Sequence, residues 1–457
     1  MVKVQATVAD AYKLVHEGIL ALARAERRGI RIDVEYCIEK QQYLTRKVKY
    51  YQDKLSRTNF FRRWEHIYKG KVNVLSDDQL ATVLYRHMKL TPPKMTTSGR
   101  GATDEESLKQ LNVPELQYII QIRKLMKIRD TYLGQFIRET NKDGYMRPSF
   151  NLHTVRTYRS SSSDPNFQNI PKRDKEAMEI CRRAILPRPD HMLMEADFSA
   201  LEVMISVCYH RDPVMINYLQ DPAADMHLDM AKQIYINDEL EKSSVLRQGA
   251  KNGFVFPQFY GDYYGNCARY LCEWGKLPVG SRWKNDDGVE LANGEHLGAH
   301  MRRNQIKSFD AFVEHMKHVE DDFWNRRFNV YNQWRKTWIQ QYRENGYFQM
   351  LTGFRCSGLM RKNEIVNYPV QGTAFHCLLQ TFIYLEEVAQ EQGWDSRLVG
   401  QIHDSIVLDA NPDELHHIQA ALDDIVGRRL PEQWDWIVVP LEIEIDEYAV
   451  NGPWIKE

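Results

Sequence analysis

Two aspartates stand where a polypeptide most readily projects a carboxylate into a cleft. Asp197 ends the run RPDHMLMEAD (188–197), which reads as a strand entering from a proline-marked turn, and a helix is predicted to start at Ser199. Asp404 falls at the tip of a hairpin pattern, two apolar runs in SRLVGQIHDSIVLDA (396–410) around His403-Asp404. Strand ends and tight turns hold side chains rigidly, as a shared metal site requires. Mg²⁺ takes few carboxylates and completes its shell with water and phosphate oxygens. Two such ions about 4 Å apart suit an in-line displacement, one activating an oxygen and the other stabilising one. Each aspartate alone also has a plain reading, because Asp tolerates the backbone angles of turns.

Other residues carry chemistry by spacing. Arg247 and Lys251 are four apart and share a helix face. A cationic pair there suits a triphosphate, since stabilising spread negative charge is most of phosphoryl transfer; an exposed basic face is the alternative. Ser199-Ala-Leu-Glu202 fits a capping box, with Glu202 bonding back to the start of the helix. Cys267-x4-Cys272 and His296-x3-His300 would make a four-ligand zinc site on paper, but buried cysteines and surface histidines are the favoured reading. Between Arg46 and Lys71 nine Lys and Arg residues interleave with Tyr50, Tyr51, Phe60, Phe61 and Trp64 against only Asp53 and Glu65. That pattern fits phosphate neutralisation and base stacking as well as it fits a solvated helix face over a core stripe.

The elements that must position these groups read as helices plus a small, antiparallel sheet. Helical spacing covers 10–28, stopped by Gly29, and 36–68 as one long helix; 437–446 reads as closing strand, and Asn411-Pro412 opens a helix. Residues 275–308 are rich in Gly, Asn and Asp and read as an insertion. The chain has 457 residues, 43% hydrophobic and 27% charged, which suits about three subdomains and excludes wholesale disorder. No apolar run is long enough for a membrane span, and the N-terminus does not read as a secretory signal. Seven scattered cysteines imply no disulfide framework, and the cytoplasm (of a host, for a viral protein) is the expected compartment. With a net charge of −1, a polyanion must be held by local basic patches.

Read together, the segments resemble family A DNA polymerases, the bacterial DNA polymerase I and phage replicase type. LALARAERRGIRID near the start is similar to the lead-in of the polymerase region, and VNVLSDDQLATVLY with GATDEESLKQL is similar to the thumb. The stretch Arg159 to Asn169 resembles the segment before the first catalytic strand, and Asp197-Phe-Ser-Ala-Leu-Glu202 resembles motif A. Arg247-Gln-Gly-Ala-Lys251 with Phe256-Pro-Gln-Phe-Tyr260-Gly261 resembles motif B, Asn367-Tyr-Pro-Val-Gln371 the template-contacting segment, and His403-Asp404 motif C.

The resemblance implies an α+β right-hand fold, a palm with a small antiparallel sheet and a helical thumb and fingers. The implied division is a lead-in packed on the palm (1–35), thumb (36–125), first palm part (126–210), fingers with the insertion (211–360) and second palm part (361–457). It implies template-directed addition of deoxynucleotides to a primer 3′-hydroxyl. Asp197, Asp404 and the Phe198 carbonyl would hold two Mg²⁺ ions, with Mn²⁺ as a substitute. Arg247, Lys251, Phe256, Tyr260 and Glu202 would meet the deoxynucleoside triphosphate, Glu202 excluding ribonucleotides beside the sugar C2′. Arg159, Gln168, Asn367, Gln371 and His403 would meet primer–template DNA. A monomer is expected, with any processivity partner unspecified. No proofreading exonuclease is expected, because the chain starts near the polymerase lead-in.

Three positions depart from the family pattern: Ser405 stands where motif C usually has Glu, Ala200 where motif A often has Gln, and motif B carries one residue more than usual between Lys251 and Tyr260. The third acidic group is therefore missing or supplied elsewhere. Counting from Lys251 puts Val255 and Phe259 on the functional face, and counting back from the more distinctive Tyr260-Gly261 puts Phe256 and Tyr260 there. The second is favoured, with a bulge in the helix absorbing the extra residue. The competing readings are a single-subunit RNA polymerase relative and a catalytically silent DNA-binding module.

Overall fold

The computed structural model describes residues 6–172, 174–221, 223–280 and 282–456. At its centre lie four antiparallel strands: β1 (Met192–Phe198), β2 (Arg397–Ile402), β3 (Ser405–Ala410) and β4 (Ile443–Glu447), in the order β4-β1-β3-β2. Apolar side chains fill both faces of β1 and β3, so these strands read as nearly continuous hydrophobic runs interrupted only where function or an ion pair intrudes. Strands β2 and β3 form the expected hairpin, closing at Ile402↔Ser405 with His403 left-handed at φ 54°. The closing strand is shorter than the sequence pattern suggests: only Ile443–Glu447 pairs, and 437–442 runs outside any strand.

The long helix Lys362–Gln392 is buried along most of its length, and helix Val8–Arg28 packs against both it and β2. The Val8–Arg28 helix stops at Gly29, whose φ of 74° a side chain would resist. Asn411 caps the following turn through Asp413 N–H, with Pro412 at its first position.

The helix expected over 36–68 is two helices, Val34–Ser56 and Asn59–Ile67. Thr58 breaks it, because its hydroxyl accepts from Phe61 N–H and nucleates a new helix. Helix Val34–Ser56 packs on the helical run 116–139, burying Leu44, Val48, Ile119, Ile122 and Leu125. Of the cations between Arg46 and Lys71, all are exposed except Lys47, which pairs with Glu176 at 3.0 Å. The aromatic residues there divide: Phe60 and Trp64 are core, while Tyr50 is exposed beneath Lys54.

Residues 275–308 are folded onto the neighbouring helices. Trp283 is fully buried against Phe312 and donates to the Pro278 carbonyl at 2.8 Å. The zinc arrangement does not form. Cys267 and Cys272 are buried, while His296 faces the Gly288 carbonyl and His300 the Tyr235 and Ile236 carbonyls. Among the described residues no three His, Cys, Asp or Glu side chains gather as a metal cluster, all seven cysteines are free, and no helix is long and apolar enough to cross a membrane.

A Cβ built on Gly372, within helix Lys362–Gln392, would overlap the Thr157 carbonyl and press on Met350 at 2.7 Å. The close approach ties the 157–160 loop to that helix. Gly372→Ala is therefore expected to destabilise the protein by about 1–3 kcal/mol, measured by urea denaturation.

Candidate active site

The two aspartates meet because of strand register. Asp197 is paired with Ser405, the residue after Asp404, and Phe198 N–H donates to the Asp404 carbonyl at 3.1 Å. Burial pushes the Asp197 carboxyl up to about 6, the Asp404 charge adds to the rise, and Lys172 opposes it from 3.3 Å. Asp197 Oδ2 faces Lys172 Nζ, while Oδ1 is buried without a hydrogen-bond partner. Phe198, the last residue of β1, is paired with Ile443 and has a buried side chain.

The capping box predicted for Ser199 and Glu202 is absent. The helix begins at Leu201 after a left-handed Ala200, and the Ser199 hydroxyl donates instead to Glu444 at 2.7 Å. The strand β4 carboxylate outcompetes the local cap, and Glu202 is free to face the cleft. There its carboxylate is gripped by the Arg159 guanidinium and accepts from the Tyr260 hydroxyl at 3.3 Å.

Residues 245–259 run as one helical stretch with a π turn over Lys251–Val255. The wider turn takes up one residue. It leaves Val255 fully buried and brings Lys251, Phe256 and Tyr260 to the cleft, Lys251 lying 5.4 Å from the centre of the Phe256 ring. Arg247 is drawn elsewhere, to Asp225 at 2.8 Å, and does not line the cleft.

The cleft encloses about 510 Å³, and Asp404, His403, Arg159, Asn367 and Gln371 line it with Glu202 and the motif B residues. Burial lowers the His403 imidazole, against the pull of Asp404. Gln168 is not in this lining: it is buried, and its amide donates to Ser160 and Gln401, both at 2.7 Å. Gln401 in turn donates to the His403 carbonyl at 2.5 Å, so Gln168 buttresses the hairpin tip.

Sequence reasoning passed over several residues here. His227 lines the cleft edge-on to Phe256, and burial with Lys251 and Arg247 nearby lowers its imidazole to about 4. Lys172 and Glu195 flank Asp197. Glu195 had a signal, an acid two residues before Asp197 in an otherwise apolar strand, where period-2 alternation puts it on the same face.

A sequence model of DNA polymerase family A matches residues 41–272 and 305–449, passing over most of the insertion. DNA polymerase I of Aquifex aeolicus is 29% identical over 95% of this chain and 66% of its own length. DNA polymerase I of Chloroflexus aurantiacus is 26% identical over 94% and 41%, and the thermostable DNA polymerase I of Thermus thermophilus 26% over 93% and 46%. The chain thus spans less than two-thirds of the length of these relatives. Among solved structures, the polymerase domain of Pol1 from M. smegmatis, in complex with DNA primer–template and dNTP, matches in fold with a TM-score of 0.72 at 22% identity, covering 96% of this chain and 69% of that one.

A carboxyl raised by folding binds protons more tightly in the native than in the unfolded state. Its cost to stability is present above the folded value of about 6 and disappears below the unfolded value. In metal-free buffer, Asp197→Asn is expected to melt higher than the parent near pH 8, the difference closing as pH falls through about 6 towards about 4, as calorimetry across that range would read.

Proposed function

The chain belongs to DNA polymerase family A, and we propose that it extends a primer 3′-hydroxyl on a DNA template by phosphoryl transfer from deoxynucleoside triphosphates. The observation that carries this reading is the apposition of Asp197 and Asp404, held by strand register beside a cleft that Lys251, Phe256 and Tyr260 line from the motif B helix.

The unpartnered, buried Asp197 Oδ1 is an acceptor that a divalent cation would satisfy. Asp197 and Asp404 would hold two Mg²⁺ ions, or Mn²⁺ in their place, with the Phe198 carbonyl as a further ligand. When bound, the ions supply acidification of the primer hydroxyl and neutralisation of charge on the phosphates. The remaining work falls to side chains. Lys251 binds the triphosphate as a fixed cation. Phe256 packs on the sugar and Tyr260 on the base. Glu202, anchored by Arg159 and Tyr260, closes the space that a 2′-hydroxyl would need. Arg247 reaches the phosphates only by leaving Asp225.

On the DNA side, Arg159, Asn367 and Gln371 offer donors to the minor-groove acceptors that every base pair presents, which suits a protein that copies any sequence. His403 lies nearest the primer terminus, with Gln168 setting the hairpin behind it. In this reading 36–125 is the thumb, its exposed cations meeting duplex phosphates, 211–360 the fingers, and 126–210 with 361–457 the palm on which 1–35 packs. The protein acts as a monomer in the cytoplasm.

Primer extension with Mg²⁺ tests the chemistry. Asp404→Ala is expected to lower the rate by at least about a hundredfold; equal extension by variant and parent would remove the mechanism. Glu202→Ala is expected to relax the preference for deoxynucleotides over ribonucleotides by about 10–200-fold, read as the ratio of kcat/KM values. An unchanged ratio would leave the sugar gate without its residue.

A further inference from the structure

Glu195 is a buried acid whose two oxygens face different ways. Its Oε2 meets Arg182 Nη1 at 3.2 Å and the Tyr448 hydroxyl at 3.3 Å, deep in the palm. Its Oε1 lies 3.0 Å from the Ser405 hydroxyl, whose one proton it shares with the Ile402 carbonyl at 2.9 Å, and 3.8 Å from Lys172 Nζ. The same ammonium lies 3.3 Å from Asp197 Oδ2. Glu195 and Asp197 share one face of β1, and Ser405, paired with Asp197, is fully buried. Two cations answer these carboxylates: Lys172 lies beside both Asp197 and Glu195, and Arg182 meets Glu195 alone. One of those, Arg182, is buried and committed to the rear, while Lys172 is half exposed and free to leave. Asp197 Oδ1 remains unpartnered throughout.

We propose that Glu195 is the third acidic group of the cation site, acting on it as a positioning residue from behind Asp197, and that Lys172 is an internal counter-ion that a divalent cation must displace. The inference rests on the metal-site reading above and deepens it. Ser405 is the hinge of the arrangement: where a carboxylate on β3 would reach the site itself, the serine hydroxyl fixes a carboxylate delivered from β1. Lys172 lies beside both Asp197 and Glu195, so their negative charge does not stand uncompensated. On binding, the ammonium moves into solvent, which its exposure permits, and the charge of Glu195 remains to favour the cation.

The test is Mn²⁺ affinity of the whole chain without DNA or nucleotide, read by calorimetry and by the paramagnetic resonance signal of free Mn²⁺. Asp404→Asn reports on the site itself and is expected to weaken binding. Glu195→Gln is expected to raise the Mn²⁺ Kd by about tenfold or more, and adding Ser405→Glu to it to restore most of the loss. Lys172→Gln is expected to tighten binding by about threefold. If Asp404→Asn weakens binding while folded Glu195→Gln binds like the parent, Glu195 has no part in the site, though the site stands. If neither changes the Kd, the cation site itself is misplaced. Should Glu195→Gln fail to fold once Arg182 loses its partner, Lys172→Gln decides: tighter binding supports the counter-ion, and an unchanged Kd overturns it.

Discussion

The pairing of β1 with β3 in one particular register is the constraint on which the site depends. Side chains alternate across a strand, so a slip of one residue would turn Asp197 to the opposite face and present Ala196 or Phe198 instead. Three features hold the register. Ala196, Met194 and Met192 lie against Ile406, Leu408 and Ala410 in ladder pairs filled by apolar side chains. Strand β4 pairs on the far side of β1 in a register that sets Ala196 against Ile445. The Phe198 N–H then bonds the Asp404 carbonyl, carrying the ladder into the turn where the second aspartate sits.

Burying a carboxylate works against folding, and the neighbouring Asp404 charge adds to the cost; both raise the Asp197 carboxyl. Lys172 offsets it at Asp197, and Arg182 pairs with Glu195 behind it. Arg182 also lies 4.1 Å from the centre of the Trp454 ring, so its guanidinium is held by packing as well as by charge. One counter-charge is thus buried and held by packing, while the other is half exposed.

Much of this was readable from local rules. The hairpin around Asp404, the stop at Gly29 and the cap at Asn411 each depend on a few adjacent residues, and the chain follows them. Local rules failed where a distant group competed for the same atoms. The capping box is a local bargain between Ser199 and Glu202, but Glu444 lies across the sheet and takes the serine hydroxyl. Once Ala200 is left-handed, Glu202 points into the cleft, where Arg159 and Tyr260 are waiting. Gln168, a DNA contact only by the family resemblance, bonds Ser160 and Gln401 behind the hairpin tip. The convergence of Lys172, Glu195 and Ser405 was out of reach, since it depends on which strands are neighbours.

The extra residue in the motif B helix shows how a local irregularity can preserve a global arrangement. In an α-helix one added residue rotates everything beyond it by about 100°, which would turn Phe256 and Tyr260 away from the face that carries Lys251. A π turn absorbs the addition, and its place is set by Pro257. Proline has no N–H to give and its ring crowds the carbonyl four residues back, here Gly253. The α-helical bond that a π turn would disrupt is therefore already missing at that point, and Phe256 N–H bonds the Lys251 carbonyl five residues back instead. The widening relieves the proline, places Val255 in the core and keeps Lys251, Phe256 and Tyr260 on the cleft side. Proline and insertion each strain a regular helix alone; together they accommodate one another, which is why the helix can carry an added residue without losing its cleft-facing side.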